Sequence, residues 1–503
     1  MNGLAPETDL GGQLMQMLPY LVLAGGALLV MLVDAFVKSL RKDHLSMLSL
    51  LVLLGTAVAQ GTGPARTGSL MNGMLACDLY THFFNLLFVA IAMLTVVFAT
   101  SIYDRDGRFR AEFYPLVLFA TLGMMLMAAA TDLMSLFLAL ETMSLSVYIL
   151  VGGNRGSMRS SEAGFKYLIM GAFASAVLLM GSALLYGQTG GTSYAAIGTA
   201  LAAGAGGVLL PISSGLILIA FGFKIAMVPF HMWTPDVYEG APVYMTGYMA
   251  TGVKAAAMAA LLRFVWLLLP SLSVVWFPLL AVLAVLTMTI GNVVALSQDG
   301  IKRMLAYSSI AHAGYLLLGV LALLNTGRST EVATRTVEVA GAAGGALLFY
   351  LVVYALMNLG AFGIVAYLSR SRAEEADAIS GYAGLSRRRP LAAATLSVFL
   401  FSLAGIPPAA GFVGKFYLFD AVVKAGLVPL AVWGVVNSLL SVYYYLRVVV
   451  VMYFKPAEGD LHEGASWEAA FTAGVLALLV ILIGVLPGTL FELASRTFAH
   501  MAF

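Results

Sequence analysis

The chain has 503 residues, of which 61% are hydrophobic and only 10% are charged. A soluble domain carries about 25% charged residues, so this composition excludes a soluble globular protein and predicts a polytopic all-α membrane protein. The net charge of +2 has no basic block behind it, which excludes a nucleic-acid partner. The single cysteine, Cys77, excludes a disulfide framework and a cysteine-held iron–sulfur cluster, so any linked redox chemistry belongs elsewhere.

Runs of about 20 mostly apolar residues predict about fourteen transmembrane helices. The seventh and twelfth are broken helices, because Pro229 interrupts one and Pro407 and Pro408 interrupt the other. In chain order, the predicted spans lie at 17–37, 45–60, 79–100, 112–130, 132–152, 162–187, 207–230, 243–268, 273–296, 302–324, 341–369, 391–423, 427–453 and 468–490.

The charges between the spans predict how the chain is oriented. Most Lys and Arg residues outside the spans fall in loops that follow odd-numbered helices. The positive-inside rule places those loops in the cytoplasm and both termini on the outer side. The segment 187–207, rich in Gly, Ala and Ser, predicts a flexible outward-facing connection.

The two broken helices predict an internal repeat. They are five helices apart, and an odd offset gives them opposite orientations, which is typical of inverted-topology repeats with a functional site near the breaks. We therefore expect a single membrane domain, 1–503, that contains two inverted five-helix repeats. Its parts are the first three helices (1–110), repeat one with helices four to eight (111–268), repeat two with helices nine to thirteen (273–454), and the last helix with the C-terminal tail (455–503).

Two charges in the fifth and sixth helices are candidate functional groups. Glu141 has no positive residue one turn away, so it needs a partner on another helix, a proton or water. Lys166 follows Glu162 by four residues, which predicts an ion pair near the cytoplasmic end. The alternatives are a packing ion pair for Glu141 and a snorkelling lysine for Lys166.

Lys224 and Lys254, in the seventh and eighth helices, lie too deep to snorkel. Lys224 precedes the break at Pro229, and small residues that leave room for close helix approach flank Lys254. Burial in a low dielectric disfavours the charged form of a lysine, which can then hold or release a proton near neutral pH. Both residues are therefore predicted members of a proton relay.

The second half of the chain supplies two further candidates. His312 lies near Ser308, Ser309 and Tyr315 and is either a structural hydrogen bonder or a member of the relay. Lys415 follows the prolines of the twelfth helix, which free backbone carbonyl groups and are typical of an ion pathway. The alternative for Lys415 is a proline kink with an incidental lysine.

Five segments in this order carry a family resemblance: LALETMSLSVYIL, FKYLIMGAFASA, FGFKIAMVPFHMWTPDVYEGAP, KRMLAYSSIAHAGY and SLAGIPPAAGFVGKF. The chain resembles the antiporter-like subunits of respiratory complex I, the bacterial proton-translocating NADH:quinone oxidoreductase, over most of helices three to thirteen. The resemblance implies that Glu141 pairs with a lysine, with Lys166 nearby. It also implies that Lys224 passes a proton through Lys254, and His312 where it takes part, to Lys415 in an outward half-channel.

The resemblance also implies a setting for the chain. The partners would be other membrane subunits, resembling the M subunit and the K, A and J subunits, in the bacterial inner membrane. The chain would be a translocase subunit without a redox centre or cofactor of its own, since NADH, FMN, iron–sulfur clusters and quinone would be handled by other subunits. The alternative is a subunit of a multisubunit cation/proton antiporter.

Overall fold

The computed structural model describes residues 10–37, 42–62, 68–106, 111–154, 156–205, 207–268, 273–326, 333–369, 377–457 and 467–501. Most of these residues are helical, because a backbone inside a membrane must satisfy its hydrogen bonds within the segment. The elements are α1 (Leu10–Phe36), α2 (Lys42–Thr62), a hairpin of β1 (Gly68–Leu70) and β2 (Leu75–Cys77), α3 (Leu79–Asp106), α4 (Phe113–Ala129), α5 (Leu133–Val151), α6 (Met158–Thr189), α7 (Tyr194–Ala202), α8 (Leu209–Ile225), α9 (Trp233–Gly240), α10 (Val243–Tyr248), a π-helical turn (Met249–Val253), α11 (Lys254–Leu268), α12 (Ser273–Ala295), α13 (Ile301–Thr326), α14 (Ala333–Leu368), a 3₁₀ turn (Ile379–Tyr382), α15 (Leu385–Arg388), α16 (Pro390–Ala404), α17 (Ala410–Lys424), α18 (Val428–Phe454), α19 (Trp467–Val485) and α20 (Gly488–Ala499).

The prediction of a helical membrane protein is confirmed. Within the described residues, 11 helices are long and apolar enough to cross a membrane. Three shorter apolar helices also lie at predicted spans. Helix α4 coincides with 112–130, α8 lies within 207–230, and α16 forms the first half of 391–423, whose second half is α17. Helices α8 and α16 are short because each ends at one of the predicted breaks.

The core lies at the middle helices of the bundle. In the most apolar stretch of each helix, 94%, 94% and 89% of the residues of α10–α11, α13 and α14 are buried. The corresponding shares for α1, α12 and α19 are only 33%, 33% and 28%. The outer helices therefore present apolar side chains such as Phe471 outward, as expected for lipid or partner helices. A charged group on a central helix must instead find its partners inside the protein.

The two breaks have the same local backbone. At the end of α8, Ala226 is left-handed (φ 63°), and the amide of Met227 donates to the carbonyl of Gly222 (2.8 Å). At the end of α16, Gly405 is left-handed (φ 84°), and the amide of Ile406 donates to the carbonyl of Phe401 (2.9 Å). Both are Schellman motifs, which end a helix while satisfying part of its last turn. The chain then passes through a cis proline at each break.

The segment 187–207 is more ordered than the sequence predicted. It contains α7, which begins after Ser193, and the Ser193 hydroxyl accepts a hydrogen bond from the amide of Ala196 (3.2 Å). Tyr194 and Ile197, three residues apart, bury their side chains on one face of this helix. The prediction of a flexible connection was wrong, because an N-cap serine and two apolar anchors outweigh the Gly-rich composition.

Candidate functional site

Lys224 lies in the last turn of α8 and is buried, with a relative exposure of 2%. Its Nζ donates to Ser144 Oγ (2.8 Å) and to the Tyr148 hydroxyl (3.2 Å), both on α5. The rings of Tyr148 and Tyr167 lie 5.3 and 5.7 Å from the same Nζ. Neutral oxygens and aromatic faces therefore hold this ammonium group, and neither hydrogen-bond acceptor is a carboxylate.

Glu141 lies one turn before Ser144 on α5, at an intermediate level of burial. Its carboxylate accepts a hydrogen bond from Ser175 on α6. Among the described residues, no ion pair within 4.0 Å joins Glu141 to a lysine. The pairing of Glu141 with a lysine stays a prediction, and the shared helix places Glu141 about 4.5 Å along the axis from the Lys224 partner Ser144.

Lys166 lies at the N-terminal end of α6, and its side chain is 41% exposed. It is 2.6 Å from Glu162, which confirms the predicted i,i+4 pair, and 3.1 Å from Asp236 on α9. Ser175, the partner of Glu141, lies nine residues further along α6, or about 13 Å along the helix axis. The structure therefore places Lys166 near α9 rather than beside Glu141.

A charged cluster surrounds α9, and the site predicted from the sequence did not include it. Arg303 of α13 is 3.0 Å from Asp236 and 2.7 Å from Glu239. Asp236 thus contacts both Lys166 and Arg303, which ties α6, α9 and α13 together. A cleft of about 210 Å³ opens beside this cluster. The three-residue spacing of the two acids on one helical face was the signal in the sequence.

Lys254 begins α11, directly after the π-helical turn, and is 2% exposed. Its Nζ donates to the backbone carbonyl of Ser309 (2.5 Å) and to the hydroxyl of the same residue. The ring of Tyr354 lies 5.8 Å away. Lys254 is therefore held against α13 by neutral groups, next to a π-helical turn of the kind that is frequent at functional sites.

His312 is 1% exposed and lies on α13, one turn beyond Ser308. Its Nδ1 is 2.5 Å from the Tyr350 hydroxyl, and its Nε2 is 3.3 Å from the Tyr445 hydroxyl. The Tyr445 hydroxyl also contacts the hydroxyl of Ser308. Both ring nitrogens therefore have partners that can either donate or accept a hydrogen bond.

Lys415 lies in α17 and is 4% exposed. Its Nζ donates to the carbonyls of Leu403 (3.0 Å) and Ala404 (3.1 Å), which the break at the end of α16 leaves free, and to Ser438 Oγ (2.9 Å). This confirms the expectation that the break in the twelfth helix frees backbone carbonyls, whereas the ion pathway stays a prediction. The partial negative charge of a helix C-terminus stabilises an ammonium group at this position.

The structure joins some of the predicted residues and separates others. Lys254 of α11 contacts Ser309, which lies three residues before His312 on α13. Tyr315 extends this set, because its ring lies 5.6 Å from the His312 ring and 5.2 Å from the Lys415 Nζ. Lys224 instead contacts Ser144 and Tyr148 of α5. Beside it, Trp233 of α9 donates to the carbonyl of Phe223 (3.0 Å).

A further ion pair, between Asp78 and Arg263, gave no signal in the sequence. Arg263 lies in α11, inside the predicted span 243–268, and is 0% exposed. Arg263 forms two hydrogen bonds with Asp78 (2.9 and 3.1 Å) and one with the carbonyl of Ala128 (3.0 Å). This pair binds the start of α3 to α4 and α11, at the opposite end of the bundle from α9.

Comparisons with known proteins agree with this arrangement. A family model described as NADH:quinone oxidoreductase/Mrp antiporter, TM, matches residues 130–441. The chain is 45% identical to NADH-quinone oxidoreductase subunit N from Trichlorobacter lovleyi over 486 residues, which cover 95% of this chain and 96% of the relative.

Among the described residues, no group of three or more His, Cys, Asp or Glu side chains could hold a metal ion.

Two solved structures share the fold. A chain of respiratory complex I from Thermus thermophilus with bound aureothin is 34% identical, with a TM-score of 0.78, and the match covers 95% of this chain and 99% of that one. A chain of the Mrp complex from Dietzia sp. is 21% identical, with a TM-score of 0.81, and the match covers 98% and 97%. The second match shows the fold alone.

Proposed function

The chain belongs to the antiporter-like membrane family of NADH-quinone oxidoreductase N subunits, and from this premise we propose that it moves protons across the membrane. The proton movement is coupled to NADH:quinone electron transfer carried out by other subunits. The observation that carries this proposal is the set of three buried lysines, Lys224, Lys254 and Lys415, each held by neutral oxygens. An ammonium group buried without a carboxylate gives up its proton more readily than one in water.

The proposed bundle has fourteen spans, and the 11 long and three shorter apolar helices of the described residues support this count. Two inverted repeats, 111–268 and 273–454, relate the break after α8 to the break after α16, and the two matching Schellman motifs support this relation. Both termini lie on the outer side, which puts the Asp236 cluster at the cytoplasmic end and the Asp78–Arg263 pair at the outer end.

The proton moves from Lys224 to Lys254 and then to Lys415. A charge rearrangement in a neighbouring membrane subunit changes the field at Glu141 and brings it toward or away from the Lys224 ammonium group. The neutral partners of Lys224 support this step, because they leave its charge uncompensated until Glu141 approaches. His312 accepts the proton on the way. Two observations support this role: Lys254 contacts Ser309, three residues before His312, and the Tyr315 ring contacts both the His312 ring and the Lys415 Nζ.

The partners are the other membrane subunits of the complex, including neighbours that resemble the M subunit and the K, A and J subunits. The chain acts as a translocase subunit in the bacterial inner membrane. NADH, FMN, iron–sulfur clusters and quinone belong to other subunits. The 95% and 96% coverage shared with the relative from Trichlorobacter lovleyi supports a place equivalent to that of an N subunit.

The alternative, a subunit of a multisubunit cation/proton antiporter, is less well supported. The Dietzia Mrp chain is 21% identical, against 45% for the N subunit of Trichlorobacter lovleyi. The two complexes share this fold, but one fold can host several functions, so the fold does not choose between them. Purification distinguishes the two functions, because a subunit of the oxidoreductase co-purifies with redox subunits and an antiporter subunit does not.

Lys254→Ala tests the proposed function. The ratio of protons pumped to electrons transferred should fall sharply in proteoliposomes, since a proton-transfer group contributes about 10²–10⁴-fold to the rate of its step. Lys424→Ala is the matched control, because Lys424 is 57% exposed and pairs with Asp420 at 2.6 Å. Normal assembly with an unchanged ratio in Lys254→Ala would contradict the proposed function.

Lys166→Gln should have a much smaller effect than the loss of a buried lysine. Lys166 is 41% exposed, and Asp236 keeps Arg303 as a partner when Lys166 is removed. Exposed ion pairs contribute only about 0–1 kcal/mol, so we expect near-normal assembly and at most about a twofold loss of pumping. Complete loss of pumping in Lys166→Gln, measured beside Lys424→Ala, would make Lys166 an obligatory proton carrier.

A further inference from the structure

Two tyrosines hold His312 from opposite sides, and we name Tyr350 and Tyr445 the tyrosine clamp. The Tyr350 hydroxyl contacts Nδ1 (2.5 Å), and the Tyr445 hydroxyl contacts Nε2 (3.3 Å). Tyr350 lies on α14 and Tyr445 on α18, and both are 0% exposed. The clamp therefore fixes the imidazole between three helices, with a hydroxyl at each nitrogen.

Hydroxyl groups can serve His312 in both of its protonation states. A neutral imidazole needs one donor and one acceptor, whereas an imidazolium needs two acceptors. A tyrosine hydroxyl can supply either role by rotating its hydrogen. The Ser308 hydroxyl lies on the other side of Tyr445 and can take up the hydrogen bond that Tyr445 releases. The ring therefore need not move when it gains or loses a proton.

The position of the clamp connects it to the path between the lysines. Ser308 is the chain neighbour of Ser309, which binds the Lys254 ammonium group. The His312 ring also lies edge to face with Tyr315, whose ring lies 5.2 Å from the Lys415 Nζ. The clamp thus keeps the imidazole on α13 between Ser309, which contacts Lys254, and Tyr315, which contacts Lys415.

We propose that Tyr445 and Tyr350 are positioning residues that keep His312 competent to carry a proton between Lys254 and Lys415. The proposal rests on the proposed function of the chain. The proton leaves the Lys254 ammonium group, which becomes a neutral amine, and His312 becomes an imidazolium. His312 then gives this proton to the neutral amine of Lys415 and returns to its starting state. The tyrosines orient the ring and keep their own protons at the end of each cycle.

Tyr444 provides a matched control beside the clamp. It is the chain neighbour of Tyr445, it is also 0% exposed, and the two ring centroids are 4.4 Å apart. Neighbouring positions on a helix point about 100° apart, so Tyr444 faces α12 and donates to Asn292 Oδ1 (3.0 Å). Tyr445→Phe and Tyr444→Phe therefore remove the same group from the same helix, but only the first removes a partner of His312.

The test measures the ratio of protons to electrons in the assembled complex. We expect Tyr445→Phe to lower the ratio at least about tenfold more than Tyr444→Phe, because a group that positions a proton carrier affects the transfer step itself. In a His312→Gln background, Tyr445→Phe should cause no further loss, since its role is exercised through His312. Tyr350→Phe removes the second contact and replaces Tyr445→Phe in the comparison if the latter fails to assemble.

The outcomes separate this proposal from the proposed function. Equal ratios in Tyr445→Phe and Tyr444→Phe, with Lys254→Ala still defective, would overturn the clamp and leave the proposed function standing. A further loss on adding Tyr445→Phe to His312→Gln would also overturn it, because the tyrosine would then act independently of the histidine. Normal pumping in Lys254→Ala would instead remove the proposed function itself.

Discussion

Lys224→Ala is expected to abolish coupled proton pumping while the complex still assembles. The lysine is 2% exposed and its hydrogen-bond acceptors, Ser144 and Tyr148, are neutral, so its loss leaves no unpaired buried charge behind. The relay loses the carrier that starts it, and none of these partners can replace an amine. Proton uptake by inverted vesicles should fall to a few per cent or less, a loss on the order of 10²-fold. NADH:quinone turnover, measured on the same preparation, should fall less, so that the ratio of protons to electrons falls as well.

Lys224→Arg distinguishes a proton carrier from a fixed charge. A guanidinium group keeps the positive charge but does not release its proton in a protein. If Lys224 carries a proton, the arginine variant should pump as poorly as the alanine variant. Substantial pumping by Lys224→Arg would show that only the charge of Lys224 is needed, which would contradict its place in the relay.

The sequence could predict features that depend on neighbours along the chain. The breaks follow from Pro229 and from Pro407 and Pro408, because proline cannot continue the backbone hydrogen bonds of a helix. The Glu162–Lys166 pair follows from a spacing of four residues on one helical face. The burial of Lys254 follows from its position near the middle of an apolar span, because a span of about 20 residues leaves its centre too far from either membrane surface.

The sequence could not predict contacts between distant segments. Asp78 and Arg263 are separated by 185 positions, and each lies where an apolar span begins or ends, so hydropathy places both at a surface. Tyr350 and Tyr445 gave no signal, because tyrosine fits an apolar core and reveals its role only through the partner of its hydroxyl. Lys166 and Asp236 also lie in distant segments, so the sequence could not show that Lys166 contacts Asp236 rather than Glu141.

Arg263→Leu is expected to be the most destabilising single change in the chain. It leaves the Asp78 carboxylate buried without its guanidinium partner, and breaking a buried pair costs about 3–5 kcal/mol. We expect little assembled complex on a native gel and a lowered Tm for what remains. The double variant Asp78→Leu/Arg263→Leu should recover most of the loss, because an apolar pair of similar volume avoids the burial of an unpaired charge.

The stability that the pair provides should also depend on pH. Burial by itself raises the pKa of Asp78, but the charge and hydrogen bonds of Arg263 and the hydrogen bonds of Thr81 outweigh it, so the pKa lies below its ordinary value. The contribution is therefore fully present above pH ~5 and is lost as the pH falls through the lowered pKa of the folded state. The Tm of the wild-type complex should fall on acidification more steeply than that of Asp78→Leu/Arg263→Leu. Parallel curves, or a double variant as unstable as Arg263→Leu alone, would show that packing around these side chains, rather than their charges, holds α3, α4 and α11 together.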